Sequence, residues 1–145
     1  INKEKKKEKV SEYRKNRREV HNKWERKRRK NDPIYRMKKN LRRRIQNMLK
    51  SKYSIKSSGT FNILGIDKEG FIKHLESLWE PWMNWNNYGL YKNDTFNYGW
   101  DIDHIIPTSS AITVEDIYKL NHYTNLKPLC SKVNRDIKKN IISTD

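Results

Sequence analysis

From residue 3 to residue 31 the chain is an almost unbroken run of Lys, Arg, Glu and Asn, with only Val10, Tyr13, Val20 and Trp24 as larger apolar side chains. Such residues can form a helix, but one with little to bury. The spacing of Tyr13, Val20 and Trp24 suits a single narrow helical stripe, which predicts a helix that is solvated or that orders along a partner. A floppy basic tail is the plainer alternative. Either way the core must come from the other residues, and a chain of 145 has room for one compact domain beside this appendage.

Charge follows the same division. Residues 1 to 50 hold 22 basic and 6 acidic side chains, residues 51 to 145 hold 11 of each, and the whole net charge of +16 therefore lies in the first third. A neutral domain preceded by a concentrated cationic segment is the footprint of a polyanion binder, because each Lys or Arg on a phosphate releases condensed counterions. Nucleic acid is the expected partner. A membrane is not: no run approaches the ~18 apolar residues of a spanning helix, and residues 1 to 30 lack a signal peptide's apolar stretch. The chain reads as soluble, unsecreted and cytoplasmic, and its opening on Ile1 suits a fragment or a processed form. Its one cysteine, Cys130, can form no internal disulfide and no cysteine-based structural zinc site, so any metal must be held by oxygen and imidazole.

Asp32-Pro33 marks a break, since Pro33 disfavours the helical region for Asp32 and suits the first turn of a new helix. In that helix Ile34, Met37, Leu41, Ile45 and Met48 recur at spacings of three and four. Arg36, Lys38, Lys39, Arg42, Arg43 and Arg44 cover the remaining circumference. With Arg26, Arg28 and Arg29 upstream, all of these except Lys38 are the candidate phosphate contacts of the arm. Residues 54 to 60 read as a loop, and Ile63, Leu64 and Ile66 lead into Asp67, the expected N-cap of a helix through about Trp79 with Phe71, Leu75 and Leu78 on its core face. Four of the five tryptophans lie between 79 and 100, and core packing explains them better than base stacking. The expected organisation is a basic helical arm over 1–52, a helical and aromatic-rich packing segment over 53–99, and the chemistry over 100–145.

Trp100-Asp101-Ile102-Asp103-His104-Ile105-Ile106-Pro107 begins with alternating apolar and polar residues, the pattern of a short strand that ends where Pro107 cannot donate to a ladder. Asp103 and His104 then sit at its end. As strand neighbours they point to opposite faces unless the strand bends there. Downstream, Thr113 is the expected N-cap of a helix through Leu120, and residues 122–129 form a turn into a second strand. Ser131 is the expected cap of a last helix carrying Asn134, Lys138 and Lys139.

These residues resemble the HNH endonucleases, in which an Asp-His pair on the first strand is followed by an Asn in the turn and a His or Asn on the next helix. Asp103-His104, Asn125 in Asn125-Leu126-Lys127-Pro128-Leu129-Cys130, and Asn134 match that order as an HNN variant. The resemblance is strong over residues 100 to 140, and 70–89 looks like the segment preceding the motif in HNH proteins of phages and mobile elements. It implies an α+β, mostly helical chain ending in a ββα-metal fold, and a DNA endonuclease in the host cytoplasm if phage-encoded. RNA stays open as substrate, as does a homodimer or larger complex for double-strand cleavage.

The resemblance implies His104 as general base near neutral pH and Asn125 as the brace of its loop. It also implies Asp103 and Asn134 as oxygen ligands of one hydrated divalent cation, Mg²⁺ first and Mn²⁺ or another ion second. Lys138 and Lys139 are expected on the substrate backbone. His122 reads as a packing or turn residue outside the catalytic set, and His21 and His74 as helix-surface residues. Two other readings compete: a nucleic-acid-binding protein on a retired nuclease scaffold, and a nonspecific nuclease toxin.

Overall fold

A computed structural model describes residues 2–138, and the chain divides into two compact units between Met37 and Lys38. In the first, helix α1 (Asn2–Asn31) buries no residue, as its composition requires. Its end is tied locally to the first turn of helix α2 (Pro33–Ser51). Asp32 is the single non-helical residue between them, and its Oδ1 accepts from Tyr35 N (2.9 Å). The Tyr35 hydroxyl donates to Glu25, Arg36 Nη1 donates to the Arg29 carbonyl (2.6 Å), and the Arg28 guanidinium stacks 4.1 Å from the Tyr35 ring centre. The break read from Asp32-Pro33 is thus one non-helical residue with a capping side chain.

Along α2, Met37, Leu41, Ile45 and Leu49 are buried, a row repeating every fourth residue. Leu49 extends the expected stripe, and Ile34 and Met48 are only half-buried. Arg44 departs from expectation. Three residues beyond Leu41 and four before Met48, it lies on the inner side of the helix, and its Nη1 donates to the Ile102 carbonyl (2.9 Å).

The second unit continues with a short helix α3 (Thr60–Leu64), which sequence periodicity did not reveal, and α4 (Lys68–Ser77). Asp67 caps α4 by accepting from Gly70 N (2.7 Å). Gly65 ends α3 at φ 73°, and a Cβ there would lie 2.6 Å from His122 Nε2, so both conformation and space call for glycine. His74 is not a surface residue: three positions after Phe71, it turns inward and its Nε2 pairs with the Leu126 carbonyl (2.9 Å).

Strand β1 (Trp100–His104) pairs antiparallel with β2 (Leu126–Cys130), with Asp103 opposite Lys127 and His104 opposite Leu126. Between them lies α5 (Val114–Leu120), whose N-terminus carries the capping box of Thr113 and Asp116. Ile45, Leu49, Ile63 and Ile117 form one buried cluster. Half-buried Trp79 and Trp85 pack with buried Tyr88 and Trp100 in an aromatic cluster, with ring centres 5.0 to 5.9 Å apart. The chain is therefore α+β, mostly helical with one two-stranded sheet. No helix among the described residues is long and apolar enough to cross a membrane.

After β2 the backbone forms a π-helical turn, Val133–Ile137. Ser131 does not cap it. Its amide donates to the Gly99 carbonyl (2.8 Å), which carries the strand connection one residue further and turns the side chain inward. Ser131 Oγ is buried with no hydrogen-bond partner among the described residues. Residues 90–98 make an excursion whose ends meet: Gly89 N donates to the Trp100 carbonyl (2.7 Å), and a Cβ on Gly99 would fall 1.9 Å from the Leu90 oxygen.

Candidate active site

Asp103 and His104 are both buried, at 7% exposure each, in the last two positions of β1. Polar side chains so enclosed need partners, and theirs differ. Lys138 Nζ donates to Asp103 Oδ2 (2.5 Å) and to the His104 carbonyl (2.9 Å). The His104 ring turns instead to α5, where Nε2 lies 3.0 Å from Asn121 Oδ1. Both residues border one cleft of about 500 Å³, together with Asn134 and Lys138. The two side chains thus meet different elements, as adjacent strand positions require.

Asn121 determines the state of the imidazole. Its Nδ2 donates to the Ile117 carbonyl (2.7 Å), so its Oδ1 faces the ring. An amide oxygen only accepts, so His104 Nε2 carries the proton and Nδ1 the lone pair. Burial pushes the His104 pKa down to about 4, helped by the nearby Arg44 charge and opposed by the Asn121 hydrogen bond. The ring is therefore neutral at pH 7 and a weaker base than a solvated histidine. Burial likewise pulls the Arg44 guanidinium below its usual value.

Asn125 holds the chain beyond β1. Its Nδ2 donates to the Leu120 (2.8 Å) and Ile106 (3.1 Å) carbonyls, and its Oδ1 accepts from Ile106 N (2.8 Å). With all three bonds to backbone, this side chain fixes the turn that follows His104. Asn134 Nδ2 donates to Asp101 Oδ2 (3.3 Å), and Arg135 grips the same carboxylate from Nε and Nη2 (2.8 Å each). That grip raises the Arg135 pKa.

The structure thus brings Asp103, His104, Asn134 and Lys138 around one cleft, with Asn125 behind its rim. Among the arm candidates, Arg26, Arg28, Arg42 and Arg43 are exposed, Arg29, Arg36 and Lys39 half-buried, and Arg44 turned inward. Arg29 pairs with Glu25 (3.1 Å). Lys139 lies outside the described residues. His122 stays in its turn, Nδ1 2.8 Å from Thr124 Oγ1. Sequence reasoning missed Asn121, Asp101 and Arg135. Asn121 was the one with a readable signal, a polar residue four after Ile117 on the core row of α5.

No protein family matches the chain, nor does any solved structure. Two uncharacterized proteins of Acanthamoeba polyphaga mimivirus are similar to it, one 34% identical over 79% of this chain and 46% of its own length. The other is 31% identical over 74% of this chain and 43% of its own. The chain therefore spans under half the length of these relatives.

Proposed function

We propose that this chain is a metal-dependent endonuclease of the HNH type with a ββα-metal fold, hydrolysing phosphodiester bonds of DNA. The observation that carries the reading is the histidine: His104, buried beside Asp103, has its Nε2 proton committed to Asn121, which leaves the Nδ1 lone pair to accept a proton from water. A purely structural histidine has no need of a carboxylate, an amide and an ammonium gathered on the same cleft.

The donor set suits a hard divalent cation. Asp103 is a buried carboxylate already compensated by a cation, the Lys138 ammonium on its flexible stem. Asn134 spends its amide N–H on Asp101, so its oxygen remains as a donor. Asp103 and Asn134 would hold Mg²⁺ or Mn²⁺ with waters completing the shell. Bound there, the ion would supply counter-charge to the scissile phosphate and the departing oxygen. No group of three or more His, Cys, Asp or Glu side chains at metal spacing occurs among the described residues, so the ion would keep a largely aqueous shell.

The chain's own residues would do the rest. His104 takes the proton of the attacking water at Nδ1, Asn121 fixes the tautomer, and Asn125 keeps the turn from swinging the ring away. Lys138 moves from Asp103 to a substrate phosphate. Conversion of supercoiled plasmid and genomic DNA to nicked and linear forms, with Mg²⁺ or EDTA, tests this. Cutting that needs the metal and falls at least ~100-fold in His104→Ala is expected, the size of a lost general base. Tight binding without cutting of any DNA or RNA would instead favour the binding protein on a retired nuclease scaffold.

A further inference from the structure

A second hollow, of about 600 Å³, runs between α2 and β1. Its α2 wall is Asn40, Arg43, Arg44, Asn47 and Ser51, residues three and four apart that share one side of the helix. Asp101, Asn134 and Arg135 stand on the other wall. Asn134 and Arg135 also border the His104 cleft, so the two hollows share a wall and an occupant of one is led to the other.

Three features define what fits. The lining has three guanidinium groups, Arg43, Arg44 and Arg135, against one carboxylate, Asp101, which Arg135 already grips. Arg44 spends Nη1 on Ile102, while its Nε and Nη2 are enclosed with no hydrogen-bond partner among the described residues. Buried donors left unmatched are rare and mark a missing acceptor. The shape is concave and within the ~300–1,000 Å³ range that encloses small molecules, room for an unpaired stretch of strand but not for both strands of a duplex. Arg43 and Asn47 are exposed along it, a guanidinium matched to phosphate and an amide matched to a base edge.

We infer that the groove between α2 and β1 holds an unpaired segment of the DNA strand adjoining the phosphate at His104, with Arg43 on its backbone and Asn47 on a base edge. The inference rests on the nuclease reading for the identity of the strand. It makes α2 the element that selects the substrate and assigns reading of bases to residues that phosphate binding alone does not require.

The test uses the full chain in EDTA, so that nothing is cut, and follows the anisotropy of a short labelled single strand and of its duplex at several salt concentrations. Arg43→Gln and Asn47→Ala change exposed residues and spare the core; Lys92→Gln, on the 90–98 loop, is the control. Arg43→Gln should weaken single-strand binding about fivefold and lower the salt slope by about 0.7, as one lost phosphate contact on a single strand requires. Asn47→Ala should weaken it about threefold with the salt slope unchanged, because no charge is lost. Unchanged affinity and slope in Arg43→Gln, or equal losses on strand and duplex, would overturn the inference. Wild-type cutting that vanishes in His104→Ala while Arg43→Gln still binds normally sinks the groove alone. No cutting together with the predicted binding losses sinks the nuclease and leaves the groove standing.

Discussion

Helices α1 and α2 are made of nearly the same residues, Lys and Arg with a few apolar side chains, yet α1 buries nothing while α2 buries a row from Met37 to Leu49. The difference is spacing. In α1 the apolar residues are too sparse to form a continuous face, whereas in α2 they return every fourth position and make a ridge. Composition alone therefore does not tell the two helices apart, and periodicity separates the one with nothing to bury from the one that builds a core.

The sharpest way to break this contrast is to truncate one apolar residue in each helix. Ile45→Ala removes a fully buried side chain from the cluster with Leu49, Ile63 and Ile117 and should cost ~2–5 kcal/mol. Val20→Ala, at a residue 70% exposed, should cost under about 0.5 kcal/mol. Urea denaturation followed by tryptophan fluorescence measures both, and equal costs would mean that α1 has a buried face after all.

A second contrast concerns the inward arginine of α2. With little solvent around it and Arg44 near it, His104 is neutral in the fold down to about 4, whereas the unfolded chain protonates near the ordinary value of 6.5. The unfolded state therefore binds the extra proton first as pH falls. The stabilising contribution of the neutral ring is complete above pH 6.5 and is lost between there and pH 4, by roughly 3 kcal/mol. Thermal melts across this window should show that loss in the wild type and a smaller one in His104→Gln, which has nothing to titrate. Parallel profiles would place the pH dependence elsewhere.

The smallest effect belongs to α1. Deleting residues 1–31 removes 15 basic and 5 acidic side chains and no buried residue. DNA affinity should fall about tenfold at low salt, with a shallower salt slope and unchanged unfolding of the second unit. A salt slope that survives the deletion would transfer the electrostatic role to α2.

Much of this was legible from local chemistry. The Asp32-Pro33 break and the Asp67 and Thr113 caps each follow from a side chain acting on its own backbone within a few residues, and strand β1 is marked by the alternation at its start, Trp100 to Ile102. The misses are tertiary. Helix α3 is one turn long and has no periodicity to read, and Ser131 follows an inter-segment bond to Gly99. Arg44 and His74 turn inward to meet carbonyls of β1 and β2, acceptors that become neighbours only after folding. The same holds within the candidate site. Asp103, His104, Asn125 and Asn134 stand out by order and type, whereas Asn121 is tied to His104 by a bond across 17 positions.

The excursion over residues 90–98 leaves and re-enters the second unit at one point, pinched where Gly99 meets Leu90 and fastened by the Gly89–Trp100 and Ser131–Gly99 bonds. Within it the Tyr91 hydroxyl donates to Asp136 and Lys132 lies over the Phe96 ring, so the part whose length the rest of the fold does not set is the tip over 92–95. Doubling such a loop adds only ~0.6 kcal/mol of closure entropy. Residues 92–95 are therefore a cassette: a stretch where sequence can be exchanged or lengthened to graft new binding surface while the strand bearing His104 keeps its register.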